Sequence, residues 1–229
     1  KKITLLLSSF QSLKASVKDF YQKINYLIYK KQINYSSAFE ISCVSVDDNE
    51  SFFGYYDKSP WSSKGCYLFN SVGKNKYLEI CIKDTPHSEP KVISRSRTWN
   101  WQQGSMAQWW GEDSKIIYND IVEEKVLGSK IINMYGDIIR QYEFPVQSIS
   151  PSNDYFVSLN YARLAKLRPD YGYTNIFSNF YPSMPDDKDG LWVVSSSNGA
   201  AQLIVSLYQL KNIKYNETMK GAQHKINHA

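Results

Sequence analysis

Apolar residues near the start of the chain recur at alternating spacings of three and four. This spacing places them along one stripe of an α-helix and predicts an amphipathic helix over residues 10–31. After about residue 36 the pattern changes to short β-type runs separated by polar turns. We therefore divide the chain into a helical segment, 1–36, and a β-rich region, 37–229. The stripe consists of Phe10, Leu13, Val17, Phe20, Ile24 and Leu27.

One strand–turn–strand pattern occurs three times in the β-rich region, at residues 60–69, 108–117 and 148–157. Its anchor residues Trp61, Trp109 and Ile149 lie 48 and 40 residues apart. That distance is typical of one four-stranded blade of a β-propeller. The pattern predicts an all-β fold, a partial β-propeller of about three to four blades, preceded by the N-terminal amphipathic helix.

Further apolar runs between the copies supply the outer strands that each blade needs. They occupy residues 77–82, 130–135, 191–194 and 203–207. The last two flank Asn198-Gly199, which is the strongest hairpin signal in the chain. The pattern is interrupted at about 161–189, where three prolines and many aromatic residues predict an insertion, a lid or loop at the rim of the propeller.

The composition is that of a folded, strand-rich protein. Hydrophobic residues make up 42% of the 229 positions, and 18 Tyr and 6 Trp favour half-buried pleated surfaces. The three cysteines, Cys43, Cys66 and Cys81, contain no Cys-x-x-Cys pair, which excludes a disulfide framework or zinc knuckle and favours a reducing compartment. We expect a cytoplasmic protein, with a peripheral position at the inner membrane as the alternative.

The positive charge is concentrated at the N-terminus. The whole chain has a formal net charge of +5. Residues 1–31 contain seven basic residues and one acidic residue, so the remainder has a net charge of −1 and no basic surface for nucleic acid. The predicted helix 10–31 can pack on its own domain, lie on an anionic membrane surface or dock on a partner helix. The opening apolar run is too short to span a membrane and matches a signal peptide only weakly.

Motifs of common enzyme classes are absent from the sequence, which contains no Walker loop, no Gly-x-Gly-x-x-Gly, no Gly-x-Ser-x-Gly and no His-Glu-x-x-His. Asp47-Asp48 and the acidic run 186–189 are interpreted as solvated loops rather than a metal-binding Asp-x-Asp motif. A conventional nucleotide-dependent glycosyltransferase is therefore not supported.

The repeated turn resembles the Trp-Ser-Pro-Asp-Gly-Lys motif of TolB-like propellers, a group that includes the oligogalacturonate lyases. Only the third copy, at residues 150–153, keeps the Ser-Pro start. Segments 52–61 (FFGYYDKSPW), 101–104 (WQQG) and 224–228 (HKINH) are similar to a propeller family encoded in bacterial capsule and O-antigen clusters and often labelled glycosyltransferase. The resemblance covers about residues 40–229. It implies a role in carbohydrate handling, and it implies that this chain is the N-terminal part of a ring closed by downstream blades or a partner chain.

In a propeller, the innermost strand of each blade starts at the same mouth of the central channel. Residues before each turn should therefore converge there although they are distant in sequence. Amide and hydroxyl groups beside aromatic rings suit a sugar, although the two tyrosines of this set could equally pack between blades. Arg163 is added as a group that could neutralise a sugar carboxylate. The predicted substrate-binding residues are Tyr55, Tyr56, Asp57, Trp99, Asn100, Gln102, Gln103 and Arg163.

A divalent metal is the one cofactor that the C-terminal residues suggest. By resemblance to the Gln and His ligands of lyase-like propellers, Gln223, His224 and His228 are candidate metal ligands, and Asn227 accompanies them. On a strand the two histidines would lie about 13 Å apart, so a shared ion requires the segment to bend. Hydrogen-bonded structural roles are the alternative.

Three functions remain open at this stage. The first is binding or processing of a glycan or glycolipid precursor at the channel mouth in surface-polysaccharide biosynthesis. The second is a non-catalytic interaction scaffold, since propellers often serve as platforms. The third is a metal-dependent polysaccharide lyase in which Arg97 or Arg163 neutralises a uronate carboxylate while a basic group removes the neighbouring proton.

Overall fold

The computed structural model describes residues 11–30, 36–42, 44–46, 48–73, 77–111, 114–123, 126–173, 181 and 183–227. The chain forms two compact units, Lys1–Ser42 and Cys43–Ala229. The first unit contains the predicted N-terminal helix, α1 (Gln11–Tyr29). Four apolar side chains of its stripe, Val17, Phe20, Ile24 and Leu27, are exposed, from 38% at Ile24 to 76% at Leu27, and the predicted stripe residue Phe10 lies outside the described residues. In the described part of the chain, no helix is both long enough and apolar enough to cross a membrane.

The second unit is mostly β and consists of three four-stranded antiparallel sheets. Sheet 1 contains β1 (Glu50–Phe52), β2 (Tyr67–Val72), β3 (Leu78–Lys83) and β4 (Lys91–Ser96). Sheet 2 contains β5 (Gln108–Trp110), β6 (Lys115–Val122), β7 (Val126–Asn133) and β8 (Ile138–Tyr142). Sheet 3 contains β9 (Ser148–Ile149), β10 (Tyr155–Ser158), β11 (Gly190–Ser195) and β12 (Ala201–Ser206). In each sheet the strands pair in sequence order, which is the blade-like arrangement that the repeat predicts.

The three predicted turn copies adopt the same local structure. Trp61 bridges Tyr67, Trp109 pairs with Ile116 and Ile149 pairs with Phe156, each across a tight turn. Among the described residues of each turn, one has a positive φ: Gly65 at 81°, Gly111 at 67° and Asn153 at 61°. Glycine and asparagine tolerate this left-handed conformation better than other residues, so the turn chemistry of the sequence explains why each copy reverses there.

The Asn198-Gly199 hairpin is also confirmed. Gly199 has a φ of 75°. The hairpin is closed by a hydrogen bond from Ser195 N to Ala200 O of 2.9 Å, and Asn198 Oδ1 accepts from Ala200 N at 2.9 Å. These bonds join β11 to β12 as the sequence predicts.

Sheet 2 lies between the other two sheets, and its strands β5 to β7 are largely buried on both faces, whereas its outer strand β8 is mostly exposed. Neighbouring residues of a strand point to opposite faces, and Ile116 and Ile117 of β6 are both fully buried, in different cores. Ile116 belongs to a core shared with sheet 1, and Ile117 to a core shared with sheet 3. The first core contains Leu68, Ile80, Ile82, Trp109, Ile116, Tyr118 and Ile132. The second contains Trp110, Ile117, Leu127, Ile131, Tyr142, Phe156 and Val194.

Hydrogen bonds also cross between the sheets. Trp109 Nε1 donates to Pro60 O at 2.9 Å, which links sheet 2 to the loop before β2. On the other side of sheet 2, Tyr142 Oη donates to Ser196 O at 2.8 Å. The order of the sheets is therefore fixed by polar contacts as well as by apolar packing.

Two short helices interrupt the β pattern where the sequence analysis gave none. Helix α2 (Tyr161–Leu167) opens the predicted rim insertion, and the Asn160 side chain caps it by accepting from Arg163 N at 2.9 Å. Helix α3 (Leu207–Ile213) begins at the residue predicted to end a strand. The Ser206 and Gln209 side chains form a capping box there, which explains why β12 stops at Ser206. A 3₁₀ turn follows at Glu217–Met219.

Candidate functional site

Three predicted sugar-binding residues of the loop before sheet 2, Trp99, Asn100 and Gln102, lie on one side of an open cleft of about 310 Å³. Its first wall is this loop, between β4 and β5. Its second wall is a short stretch of the 161–189 insertion, after α2. The lining residues are Trp99, Asn100, Trp101, Gln102, Pro169, Asp170 and Gly172. The insertion is thus brought against the residues that convergence of the inner strands predicts.

Asn100 holds the first wall in shape. Its Oδ1 accepts hydrogen bonds from Gln102 N at 3.0 Å and Gln103 N at 2.8 Å. Backbone bonds between Asn100 and Gly104 close the loop, and Gly104 has a φ of 59° that favours glycine. Asn100 Nδ2 also reaches Gly172 O at 3.5 Å, so the same side chain contacts the second wall.

Two tryptophans give the cleft its aromatic character. The rings of Trp99 and Trp101 meet edge to face, with centroids 4.9 Å apart and an interplanar angle of 85°. Phe52 supports Trp101 at a centroid distance of 5.4 Å. Trp101 remains 55% exposed, so part of its indole surface is available for stacking. Trp101 was not among the predicted site residues, although its position two residues from Trp99 could have indicated it.

Tyr55 is connected to the second wall of the cleft through another aromatic ring. Its ring lies 4.6 Å from that of Tyr56 and 6.2 Å from that of Tyr171, which stands between Asp170 and Gly172 in the sequence. Burial, with smaller effects of Tyr56, Tyr171 and Asp57, raises the pKa of Tyr55 to about 12. Like an ordinary tyrosine, Tyr55 is protonated at neutral pH, and its hydroxyl is hydrogen-bonded to Tyr56. Tyr56 is 83% exposed.

The negative charge of Asp57 is compensated by the neighbouring Lys58. Asp57 Oδ2 lies 2.6 Å from Lys58 Nζ. The Asp57 charge also contributes to raising the pKa of the buried Tyr161, after the larger effects of burial and Tyr173. The Asp57 charge thus acts on both Tyr55 and Tyr161, and the Tyr161 ring stacks on that of Tyr173 at a centroid distance of 4.8 Å.

The two neighbouring glutamines have different environments. Gln102 is exposed and lines the cleft, whereas Gln103 is only 2% exposed. Neither amide atom of Gln103 has a hydrogen-bond partner among the described residues. The sequence could not distinguish them, because both follow Asn100 in one loop and only the turn at Gly104 determines which side chain points inward.

Arg163 lies in a different, buried cluster. Its Nε donates to Asp189 Oδ2 at 2.6 Å, and its Nη1 lies 3.3 Å from both Asp186 Oδ1 and His224 O. Nη2 donates to Met184 O. Burial raises the pKa of Asp189 above its usual value in spite of the opposing effects of Asn160 and Arg163. All three guanidinium nitrogens are therefore committed to contacts within the protein.

The structure leaves the predicted metal site incomplete. Gln223 is exposed and His224 is half-buried, with no hydrogen-bond partner for its Nδ1 in the described structure. His228 lies outside the described residues. Among the residues that are described, no group of three or more His, Cys, Asp or Glu side chains could hold a metal ion. A metal at Gln223, His224 and His228 stays a prediction.

The cleft residues of the second wall could not be identified from the sequence. The insertion was expected at the rim, but nothing in its composition distinguishes Pro169, Asp170 and Gly172 from their neighbours. Their position depends on helix α2, which ends at Leu167 and directs the following residues towards Asn100.

Comparisons with known proteins add no functional information. No protein-family model matches the chain, and neither a curated protein nor a solved structure is significantly similar to it.

Proposed function

We propose that the three sheets are consecutive blades of a TolB-like β-propeller and that the cleft between the β4–β5 loop and residues 169–172 binds a glycan. The blade assignment is supported by the repeat of 48 and 40 residues and by the packing of each sheet on the next. In this proposal further blades, in a longer chain or a partner, close the ring.

The observation that carries the proposal is the combination of tryptophans and amides in one open cleft. Sugars present apolar C–H faces that stack on aromatic rings and hydroxyl groups that need donors and acceptors. Trp101 is a half-exposed ring, and Gln102 provides an exposed amide beside it. Tyr55 adds a protonated hydroxyl near the second wall.

The biological setting that we propose is assembly of bacterial surface polysaccharide. It is supported by the resemblance of segments 52–61 and 101–104 to propellers encoded in capsule and O-antigen clusters. The first segment contains Tyr55 and Tyr56, and the second contains two cleft residues, Trp101 and Gln102. The resemblance and the cleft therefore coincide in the same part of the molecule.

Oligosaccharide titrations of the purified chain test glycan binding. The probes are tetramers of N-acetylglucosamine and of methyl-esterified galacturonate, followed by calorimetry and tryptophan fluorescence. Trp101→Ala and Gln102→Ala should each weaken binding at least about fivefold, which corresponds to about 1 kcal/mol. Tyr135→Ala is the matched control, because Tyr135 is 89% exposed and lies in the β7–β8 turn, outside the cleft.

Circular dichroism and thermal melts of each variant establish that it folds. Glycan binding at this cleft is refuted if neither tetramer binds at millimolar concentration. It is equally refuted if the folded Trp101→Ala protein binds as tightly as the unmodified protein.

A further inference from the structure

The charge of the cleft points to a preference among glycans. Among its described lining residues one side chain is charged, and that residue is Asp170. We infer that the cleft selects against anionic sugars such as uronates and that Asp170 sets this preference. The inference rests on the proposed glycan function and specifies the substrate class at the same site.

The arginines that a uronate site would need are already engaged with carboxylates of the protein. Arg163 is buried and lies against Asp189 and Asp186. Arg97 is half-exposed, but its backbone N–H donates to Asp120 Oδ1 at 2.9 Å and its Nε lies 3.9 Å from the same oxygen. Arg97 Nη2 donates to Ile121 O at 3.4 Å. Neither guanidinium lines the cleft.

Arg168 is a third arginine, next in sequence to the second wall. Its Cζ lies 4.5 Å from the ring centroid of Tyr171, so the guanidinium stacks on that ring. It is not among the lining residues. Asp170, in contrast, lines the cleft, is exposed and forms no hydrogen bond or ion pair with any described residue. The carboxylate therefore faces a bound sugar without a directly paired cation.

A second carboxylate placed in this cleft would be repelled by Asp170. In a partly solvated site, the repulsion between two like charges about 6 Å apart is large enough to weaken binding about three- to tenfold relative to a neutral sugar. An ammonium group should gain by the same interaction, because aromatic rings and a carboxylate together attract cations. The expected order of affinity is amino sugar, then neutral sugar, then uronate.

Two matched pairs of tetrasaccharides test this order on the intact chain. The first pair is tetragalacturonate and its methyl ester, and the second is the glucosamine tetramer and its N-acetylated form. In the unmodified protein the ester should bind about three- to tenfold more tightly than the acid, and the amine more tightly than the acetylated sugar. Asp170→Asn should reduce both differences to less than about twofold.

Asp187→Asn is the matched control, because Asp187 is exposed and does not line the cleft. It should leave both differences unchanged. Arg168→Ala tests the opposite possibility, that the arginine recruits carboxylates.

The charge preference and glycan binding itself can fail independently in these titrations. If tetragalacturonate binds at least as tightly as its ester and Trp101→Ala removes that binding, the charge preference is wrong while glycan binding stands. Loss of tetragalacturonate binding in Arg168→Ala would likewise contradict the charge preference alone. If Asp170→Asn leaves both differences intact, Asp170 does not set the preference. If no tetramer binds the unmodified chain, the proposed function fails and the inference fails with it.

Discussion

The Asn119 side chain forms two hydrogen bonds with the backbone of Val146. Its Oδ1 accepts from Val146 N at 2.6 Å and its Nδ2 donates to Val146 O at 2.9 Å. Asn119 is in β6 of sheet 2, and Val146 precedes β9 of sheet 3. Both residues are fully buried. One amide therefore satisfies both polar groups of a peptide backbone that has no access to water.

Asn119→Ala should lower the free energy of unfolding by about 2–4 kcal/mol, because the buried N–H of Val146 would lose its acceptor and its C=O would keep only the hydrogen bond from Tyr161 Oη at 3.4 Å. Denaturant unfolding measures the change. Asn212→Ala is the control: Asn212 is exposed and donates to Tyr208 O at 2.8 Å, and its removal should cost less than about 0.5 kcal/mol. Equal effects of the two substitutions would contradict the bridging role of Asn119.

Stability should fall steeply in alkali because buried tyrosines keep their protons. Burial raises the pKa of Tyr118 to about 12 and raises the pKa of Tyr161 and Tyr173 further. In the unfolded chain these groups ionise near pH 10. The contribution of these tyrosines to the free energy of unfolding is therefore complete below pH 10. It is lost as the pH rises from 10 through the pKa of each tyrosine in the folded state, by about 1.4 kcal/mol per pH unit for each tyrosine.

Denaturant unfolding at a series of alkaline pH values, with tyrosinate absorbance recorded in parallel, checks this slope. Tyr118→Phe should remove the contribution of one tyrosine. Tyr135→Phe should leave the slope unchanged, because Tyr135 is 89% exposed. A stability that does not vary between about pH 9 and 11 would show that these tyrosines ionise as readily in the folded state as in the unfolded state.

Replacing Arg163 should destabilise the protein, because its buried partner Asp189 would be left with an uncompensated charge. Arg163→Met leaves Asp189, which is 1% exposed, without its cation, and should lower the free energy of unfolding by about 3–5 kcal/mol at neutral pH. The Asp189 pKa, already raised by burial, should rise further in this variant. A carboxyl group whose pKa is raised in the folded state favours folding at low pH. Part of the lost free energy of unfolding should therefore be recovered when the pH is lowered.

The double variant Arg163→Met/Asp189→Leu provides the control, because it removes both charges. It should be more stable than the single variant at neutral pH. If the single variant loses stability equally at every pH, the uncompensated Asp189 charge is not the cause.

The basic helix α1 is predicted to bind anionic membranes. Its apolar side chains from Val17 to Leu27 are exposed, and each lysine near an anionic surface adds about 1 kcal/mol, an attraction that salt should weaken. Vesicle sedimentation should show binding at low salt, release at high salt, and loss when Lys14, Lys18 and Lys23 are changed to Glu. Changing the exposed Lys64 and Lys220 to Glu is the control. Failure to bind anionic vesicles at any salt concentration would exclude this role.

Much of the β architecture could be predicted because the turns carry local signals. Gly65, Gly111 and Asn153 occupy the left-handed positions that the repeated template requires, and apolar alternation marks the strands between them. The two short helices could not be found by periodicity, because seven residues give barely two turns. The Ser206-x-x-Gln209 capping box was nevertheless readable in the sequence and would have indicated where α3 begins.

The candidate site was predicted only in part. Convergence of the inner strands grouped Asn100 with Gln102 and Trp99, and these residues do line one cleft because they share one loop. The burial of Arg163 against Asp189 could not be predicted from the sequence. The two residues are 26 positions apart, and their ion pair depends on how the insertion folds back. Asp170 was missed for the same reason.

The central position of sheet 2 has a consequence for the order in which the chain opens. Each outer sheet can separate from sheet 2 by exposing a single core, whereas β6 and β7 can lose protection only when both cores are disrupted. Amide hydrogens of Ile116, Ile117, Ile131 and Ile132 should therefore exchange with solvent through global unfolding, and those at the edge strands β1 and β12 through smaller local openings. Sheet 2 is in this sense the cooperative centre of the β-rich unit, and the sheets on either side are its less protected neighbours.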